Sequence, residues 1–203
     1  MKWIWPLLFL SLHTLVVFGQ KKVKAKADFY KEVKHVNKEG VENGSYEMKT
    51  KKGRVLITGQ FDNGKKVGIW KFNDRRGQPY LTYDFDQGEV LHSALSLQVK
   101  KGDKWITLKD TPPHSNQIGE YVYTMYKEFN YPAIAYKNGV EGIVMVAVEL
   151  DKTGMPSNSK VIRDIGANLG KETLRLASLL TIQWDIPDDQ HYRILIPMKF
   201  AIK

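Results

Sequence analysis

Residues 40–63, GVENGSYEMKTKKGRVLITGQFDN, lie over residues 64–87, GKKVGIWKFNDRRGQPYLTYDFDQ, without a gap. Gly40 falls on Gly64, Gly44 on Gly68, Gly53 on Gly77, Thr58 on Thr82, Phe61 on Phe85 and Asp62 on Asp86. Tyr46 meets Trp70, Met48 meets Phe72 and Ile57 meets Leu81. Six identities over 24 positions, with aromatic and apolar sites in step, exceed what composition supplies. A third copy starts at Gly88 and decays after His92. Self-similarity at a fixed period marks a stacked supersecondary unit. Tyr46 and Met48, or Trp70 and Phe72, are two apart and share a strand face. Glycines at the segment ends supply positive φ where the chain reverses. Each unit reads as a β-hairpin too small to bury its own face, so neighbouring units complete the core.

Towards the C-terminus, residues 94–108, ALSLQVKKGDKWITL, read as one more hairpin, with Leu95, Leu97 and Val99 alternating. This hairpin extends the repeat module to residues 40–109. Residues 110–119, DTPPHSNQIG, hold two prolines and no period, and make 110–120 a linker. A second domain, 121–203, follows. Val122, Met125, Tyr126 and Phe129 recur at helical spacing. Tyr131-Pro132 interrupts that helix and opens a short one over AIAYKN. The run IVMVAVEL, apolar on both faces, reads as a strand covered on two sides. Residues 151–154 turn the chain, and a second strand is expected over residues 160–165. Asn168 is placed to cap a helix whose stripe is Leu169, Thr173, Leu176, Ala177 and Leu180. Finally Ile194, Ile196, Met198, Phe200 and Ile202 alternate. Pro197 has no N–H to give to a ladder, so this last strand is expected at an edge or at a bulge. The fold class is α+β.

Towards the N-terminus, MKWIWPLLFLSLHTLVVFGQ has one early lysine, an apolar run, and small residues at Val17 and Gly19. Residues 1–19 thus read as a cleavable signal peptide, with a short retained membrane anchor as the alternative. Either way the mature protein is expected outside the cytoplasm. Residues 20–39 form a basic segment, read as a solvated tail. The chain carries a net charge of +9, and residues 20–54 hold eleven Lys and Arg against five Asp and Glu. For an exported protein such charge points to acidic envelope surfaces, not to nucleic acid. There are no cysteines, which excludes disulfides, thiolate metal sites and cysteine nucleophiles. The histidines at 35, 92, 114 and 191 fall in no ligand spacing, and no nucleophile elbow or phosphate-binding glycine loop occurs. A non-catalytic protein without cofactor or metal is expected.

Two families are visible in these residues. The stretch NGKKVGIWKF resembles the MORN-like repeats of the antitoxin-like YwqK family, over residues 40 to about 92. Such repeats serve mostly as scaffolds or interaction surfaces. The order Tyr131-Pro132, Ala135, Gly139, Gly142, Val144, Val146, Asp151, Gly154, Val161, Leu174, Trp184, Pro187, Pro197, Phe200 resembles the C-terminal domain of TonB-type energy transducers. That resemblance implies a three-stranded antiparallel sheet with packed helices, in the periplasm or cell envelope of a Gram-negative bacterium. It also implies a partner, the extended segment of an outer-membrane TonB-dependent receptor or similar envelope protein, taken up beside the last strand during energy-dependent transport. Partner-binding residues would then be Tyr131, Pro132, Arg193, Ile194, Leu195, Ile196, Met198, Lys199 and Phe200. Inner-membrane motor proteins are implied as partners only if residues 1–19 stay attached. The chain departs from the family pattern where hairpin repeats replace a proline-rich spacer. A structural or adhesive envelope protein, binding wall polymer or lipid through its repeats, is the competing reading.

Overall fold

In the computed structural model, residues 20–27 and 29–202 are described; the expected signal or anchor at 1–19 lies outside them. Among the described residues no helix is long and apolar enough to cross a membrane.

The first sheet has seven strands, each antiparallel to the next in sequence. They are β1 (Lys21–Lys26), β2 (Tyr30–Val36), β3 (Glu42–Thr50), β4 (Val55–Asp62), β5 (Lys65–Asn73), β6 (Pro79–Asp84) and β7 (Glu89–Ser93). The internal repeat is the pair of hairpins β3–β4 and β5–β6, whose turns place Gly53 and Gly77 at φ 91° and 82°. Equivalent side chains stack: the Tyr46 and Trp70 rings lie 5.4 Å apart and nearly parallel. Met48, Ile57, Phe72 and Leu81 are fully buried beside them. Gly59 is the position that admits Trp70, because a Cβ there would stand 2.1 Å from the indole.

The basic segment is a pair of strands, not a tail. β1 pairs with β2 from Lys21↔Val36 to Lys26↔Lys31, and β2 pairs with β3. The cause is templating, since β3 offers an unpaired edge that β2 can join without an apolar stripe of its own. One buried contact locks it: Glu32 accepts from the Tyr46 hydroxyl at 3.0 Å and pairs with Lys127 at 2.5 Å. Burial disfavours the Lys127 ammonium, but the Glu32 carboxylate outweighs that and raises its pKa.

The chain leaves this sheet at Ala94 and Leu95. The hairpin β8 (Ser96–Lys101) and β9 (Lys104–Thr107), expected in the repeat module, joins β10 (Gly142–Leu150), β11 (Pro156–Arg163) and β12 (Tyr192–Phe200). The second sheet therefore has five strands, ordered β11-β10-β12-β8-β9, where three were expected. The physical reason lies in β8, whose Leu97 and Val99 need a core, and the apolar side of β12 supplies one through Tyr192 and Ile194.

Between the sheets lie α1 (Ile118–Glu128), α2 (Ala133–Lys137) and α3 (Leu169–Ala177). Helix α1 touches β5, β6 and α3, while α3 covers β10 and β11. Tyr123 meets Tyr46 and Trp70 edge-on at 5.7 Å each, and Tyr126 packs on Phe72 and Tyr80. Gly119 makes the approach possible, since a Cβ there would lie 2.5 Å from the Tyr83 ring. Buried residues of both sheets and the helices form one continuous cluster. The expected linker is pinned accordingly: the Asp185 N–H donates to the His114 carbonyl at 2.9 Å, and the Tyr83 hydroxyl to the Asn116 carbonyl at 2.8 Å. Asn168 sits at the N-cap of α3 in the left-handed region, φ 67°, and its side chain makes no cap bond. Asp164 does that work instead, accepting from the Gly170 N–H at 3.0 Å.

Candidate functional site

The residues singled out for partner binding gather around β12 and the start of α2. Along one side β12 pairs with β10 through its whole length, from Gly142↔Phe200 to Glu149↔Arg193. Along the other side β8 pairs only from Tyr192↔Val99 to Leu195↔Ser96. The last strand is therefore third of five, without a bulge against β10, and its first half is not an edge. Arg193, Ile194 and Leu195 are closed to an incoming strand because β8 already occupies their ladder. Residues 196–200 have β10 on one side and no strand on the other.

Pro197 stands where β8 gives out. The His191 carbonyl accepts from the Lys100 N–H at 2.9 Å. Backbone groups alternate along a strand, so Arg193, Leu195, Pro197 and Lys199 turn theirs the same way. The missing N–H of Pro197 thus falls at the first position with no partner strand, where it costs the ladder nothing. Ile194, Ile196, Met198 and Phe200 point into the core and are buried. Their backbone groups turn to β10, so on the open side only the Pro197 carbonyl and the Lys199 N–H and carbonyl face away from it.

The open stretch is flanked by the β5–β6 turn. Asp74 pairs with Lys199 at 3.2 Å, and the Arg75 Nε–H donates to the Ala201 carbonyl at 3.0 Å. The Tyr126 hydroxyl holds the turn through the Asn73 carbonyl at 2.6 Å. Nothing local in the sequence marks Asp74 or Arg75 for this position. Asp74 reads as a turn residue, and it is one, accepting from the N–H groups of Arg76 and Gln78. Only the tertiary docking of the two sheets brings its other oxygen to Lys199.

Beside this turn a cleft of about 240 Å³ opens between the sheets. Phe29, Tyr131 and Tyr136 form its aromatic wall, and Lys51, Lys52, Arg54 and Arg75 its cationic one. A second hollow of about 270 Å³ continues past Tyr131 and Tyr136 to Lys137. Tyr131 is itself buried, its hydroxyl donating to the Val140 carbonyl at 2.7 Å and its ring edge-on to Phe200 at 5.5 Å. Burial, with Glu141 near, raises its pKa to about 12. Pro132, with φ −55° and ψ 130°, precedes α2 and so aims Tyr136 at the same cleft. Arg193 lies elsewhere, on the outer face of the second sheet, with its guanidinium 4.2 Å from the Trp105 ring and its Nε–H bonded to Gln98. Sequence reading brought together Tyr131, Pro132 and the end of β12; it missed Phe29, Tyr136 and the cations that join them.

The second unit is an antiparallel sheet covered by α3, with one stretch of β12 that no second strand pairs. Residues 127–202 match the family described as Gram-negative bacterial TonB protein C-terminal. The match begins at the end of α1 and closes just after β12, so β8, β9 and the seven-stranded sheet lie outside it. No curated protein and no solved structure gives a significant match.

Proposed function

We propose that this is a non-catalytic protein of the Gram-negative cell envelope whose C-terminal module takes up an extended segment of an outer-membrane receptor in energy-dependent transport. One observation carries the reading: pairing with β8 ends at Leu195, so the outward backbone groups of Pro197 and Lys199 have no strand across from them. Such an edge is a template for main-chain pairing with an extended peptide. The family match over residues 127–202 supports the kind of partner and the compartment. The seven-stranded sheet acts in this reading as a scaffold that frames the edge through Asp74 and Arg75. Engagement of inner-membrane motor proteins would depend on residues 1–19 remaining attached.

The test is an amide-resolved NMR titration with the extended energy-coupling segment of an outer-membrane receptor. Shifts and slowed exchange confined to residues 196–200 are expected. A titration that leaves those amides still, or that perturbs residues 193–195 equally, would refute docking at this edge.

A second reading rests on β1, where Lys21, Lys22, Lys24 and Lys26 are all exposed along an edge strand. That row suits attraction to anionic wall polymer or lipid. Sedimentation with peptidoglycan or anionic vesicles, reversed by salt and abolished by replacing these lysines, would favour it.

A further inference from the structure

A cavity of about 40 Å³ lies where the β5–β6 turn meets β12, with Asp74, Met198 and Lys199 in its wall. At roughly 10–15 Å³ per water that is room for about three waters, the bulk of one aliphatic side chain. Tyr30, Tyr80, Tyr126 and Phe129 give the cavity four rings, and the buried Leu56 and Met125 also line it. One of the rings brings a donor. Tyr80 is 5 % exposed, and its hydroxyl meets no hydrogen-bond partner among the described residues. Burial raises its pKa well above the ordinary value, so it stays protonated and able to donate. A thioether sulfur suits both features, because it accepts weakly from a hydroxyl and packs well against aromatic rings. The cavity is also placed to meet a docked strand. Met198 points inward and lines it, while the outward backbone groups of Pro197 and Lys199 stand on either side of Met198. Side chains directly opposite each other across a strand pair share one face of the sheet. The residue that an added strand sets beside Met198 therefore faces the cavity.

We infer that this cavity takes the side chain of a methionine carried by the docked segment, with the Tyr80 hydroxyl donating to its sulfur and the rings of Tyr126 and Phe129 beside it. The inference rests on the docking reading above and deepens it by naming the side chain that the edge selects. The Asp74–Lys199 pair, 3.2 Å long and part of the same wall, opens to admit it. Main-chain pairing supplies affinity for any extended segment, and the cavity supplies the choice among segments.

The experiment uses the full chain and three synthetic peptides alternating Ser and Val between terminal lysines, with methionine, norleucine or alanine at the centre. The methionine peptide is expected to bind about tenfold or more tightly than the alanine peptide and to shift the methyl signals of Leu56 and Met125. Tyr80→Phe keeps the ring and removes only the hydroxyl. It should move the methionine-to-norleucine affinity ratio about two- to fivefold towards norleucine. Leu56→Phe, which fills the cavity, should bring the methionine and norleucine peptides down to the level of alanine. Should that variant fail to fold, the ratio measured with Tyr80→Phe decides alone. A ratio that Tyr80→Phe leaves unchanged would overturn the inference. If all three peptides shift the Lys199 amide and bind alike, the cavity inference falls and edge docking stands. Silence of residues 196–200 with all three removes edge docking, and the inference with it.

Discussion

At the scale of single residues, the sharpest constraints are places where a side chain would not fit. A Cβ on Gly59 would enter the Trp70 indole, which is fully buried and ringed by Tyr46, Phe61, Phe85 and Tyr123. Gly59→Ala should therefore destabilise the fold by about 1–3 kcal/mol, the usual cost of overpacking a core, as read by chemical denaturation. A different residue-scale effect belongs to the turn after β10. Asp151 accepts from the Thr153 hydroxyl and from the N–H groups of Met155 and Thr153, which hold its pKa below the ordinary 3.8. A depressed carboxylate contributes stability above its unfolded pKa and loses it as pH falls through the folded one. Asp151→Asn should accordingly lower the melting temperature at neutral pH, and the gap to the native chain should close in acid. A gap that is constant with pH would mean the charge contributes nothing.

At the scale of elements, the question is what keeps residues 196–200 free. The β5–β6 turn approaches that stretch through one ion pair and one hydrogen bond. Asp74→Ala removes the ion pair and also the acceptor that shapes the turn, so it should loosen the turn from β12. Faster hydrogen exchange at Lys199 and tighter binding of a receptor segment are expected; unchanged exchange would show that the turn does not restrain the edge. Much of this level was legible beforehand. The repeat hairpins follow from period and glycine placement, α1 and α3 from their apolar spacing, and α2 from the proline that opens it. β1 and β2 were not legible, because their lysine-rich sequence has no apolar face and becomes strand only when β3 is there to pair with. β8 was assigned to the wrong sheet for a related reason. Alternation of Leu95, Leu97 and Val99 shows that one face is buried but carries no address for the core that buries it. The cap of α3 was misread because Asn168 has the right chemistry at the right place, while the left-handed backbone turns its side chain away.

At the scale of the molecule, α1 is the decisive piece. Its tyrosines are seated in the aromatic face of the first sheet, and its buried stripe belongs to the same cluster as α3 and the second sheet. Two sheets that share a helix as common core should not melt apart. Unfolding followed by tryptophan fluorescence, which reads Trp70 and Trp184 in different halves, should coincide with unfolding followed by far-ultraviolet circular dichroism. Two separated transitions would contradict a shared core. The same architecture explains why the cleft was invisible in the sequence. Phe29, Lys51 and Arg75 come from one sheet and Tyr131 and Tyr136 from the segment before the other, so no local pattern joins them.

The meander has a mechanical consequence as well. A pull entering at Gln20 acts on the open end of the β1–β2 hairpin, where Lys21 faces Val36. Load applied there opens the ladder one bonded pair at a time, whereas β12, flanked by β10 and β8, would have to slide past neighbours on both sides. The first sheet is then a compliant element in series with a stiff one, yielding from β1 inward while β12 keeps its place between β10 and β8. Single-molecule extension between residue 20 and the C-terminus should show low-force steps of hairpin size before any loss of the five-stranded sheet. A single high-force rupture would place the weak link elsewhere.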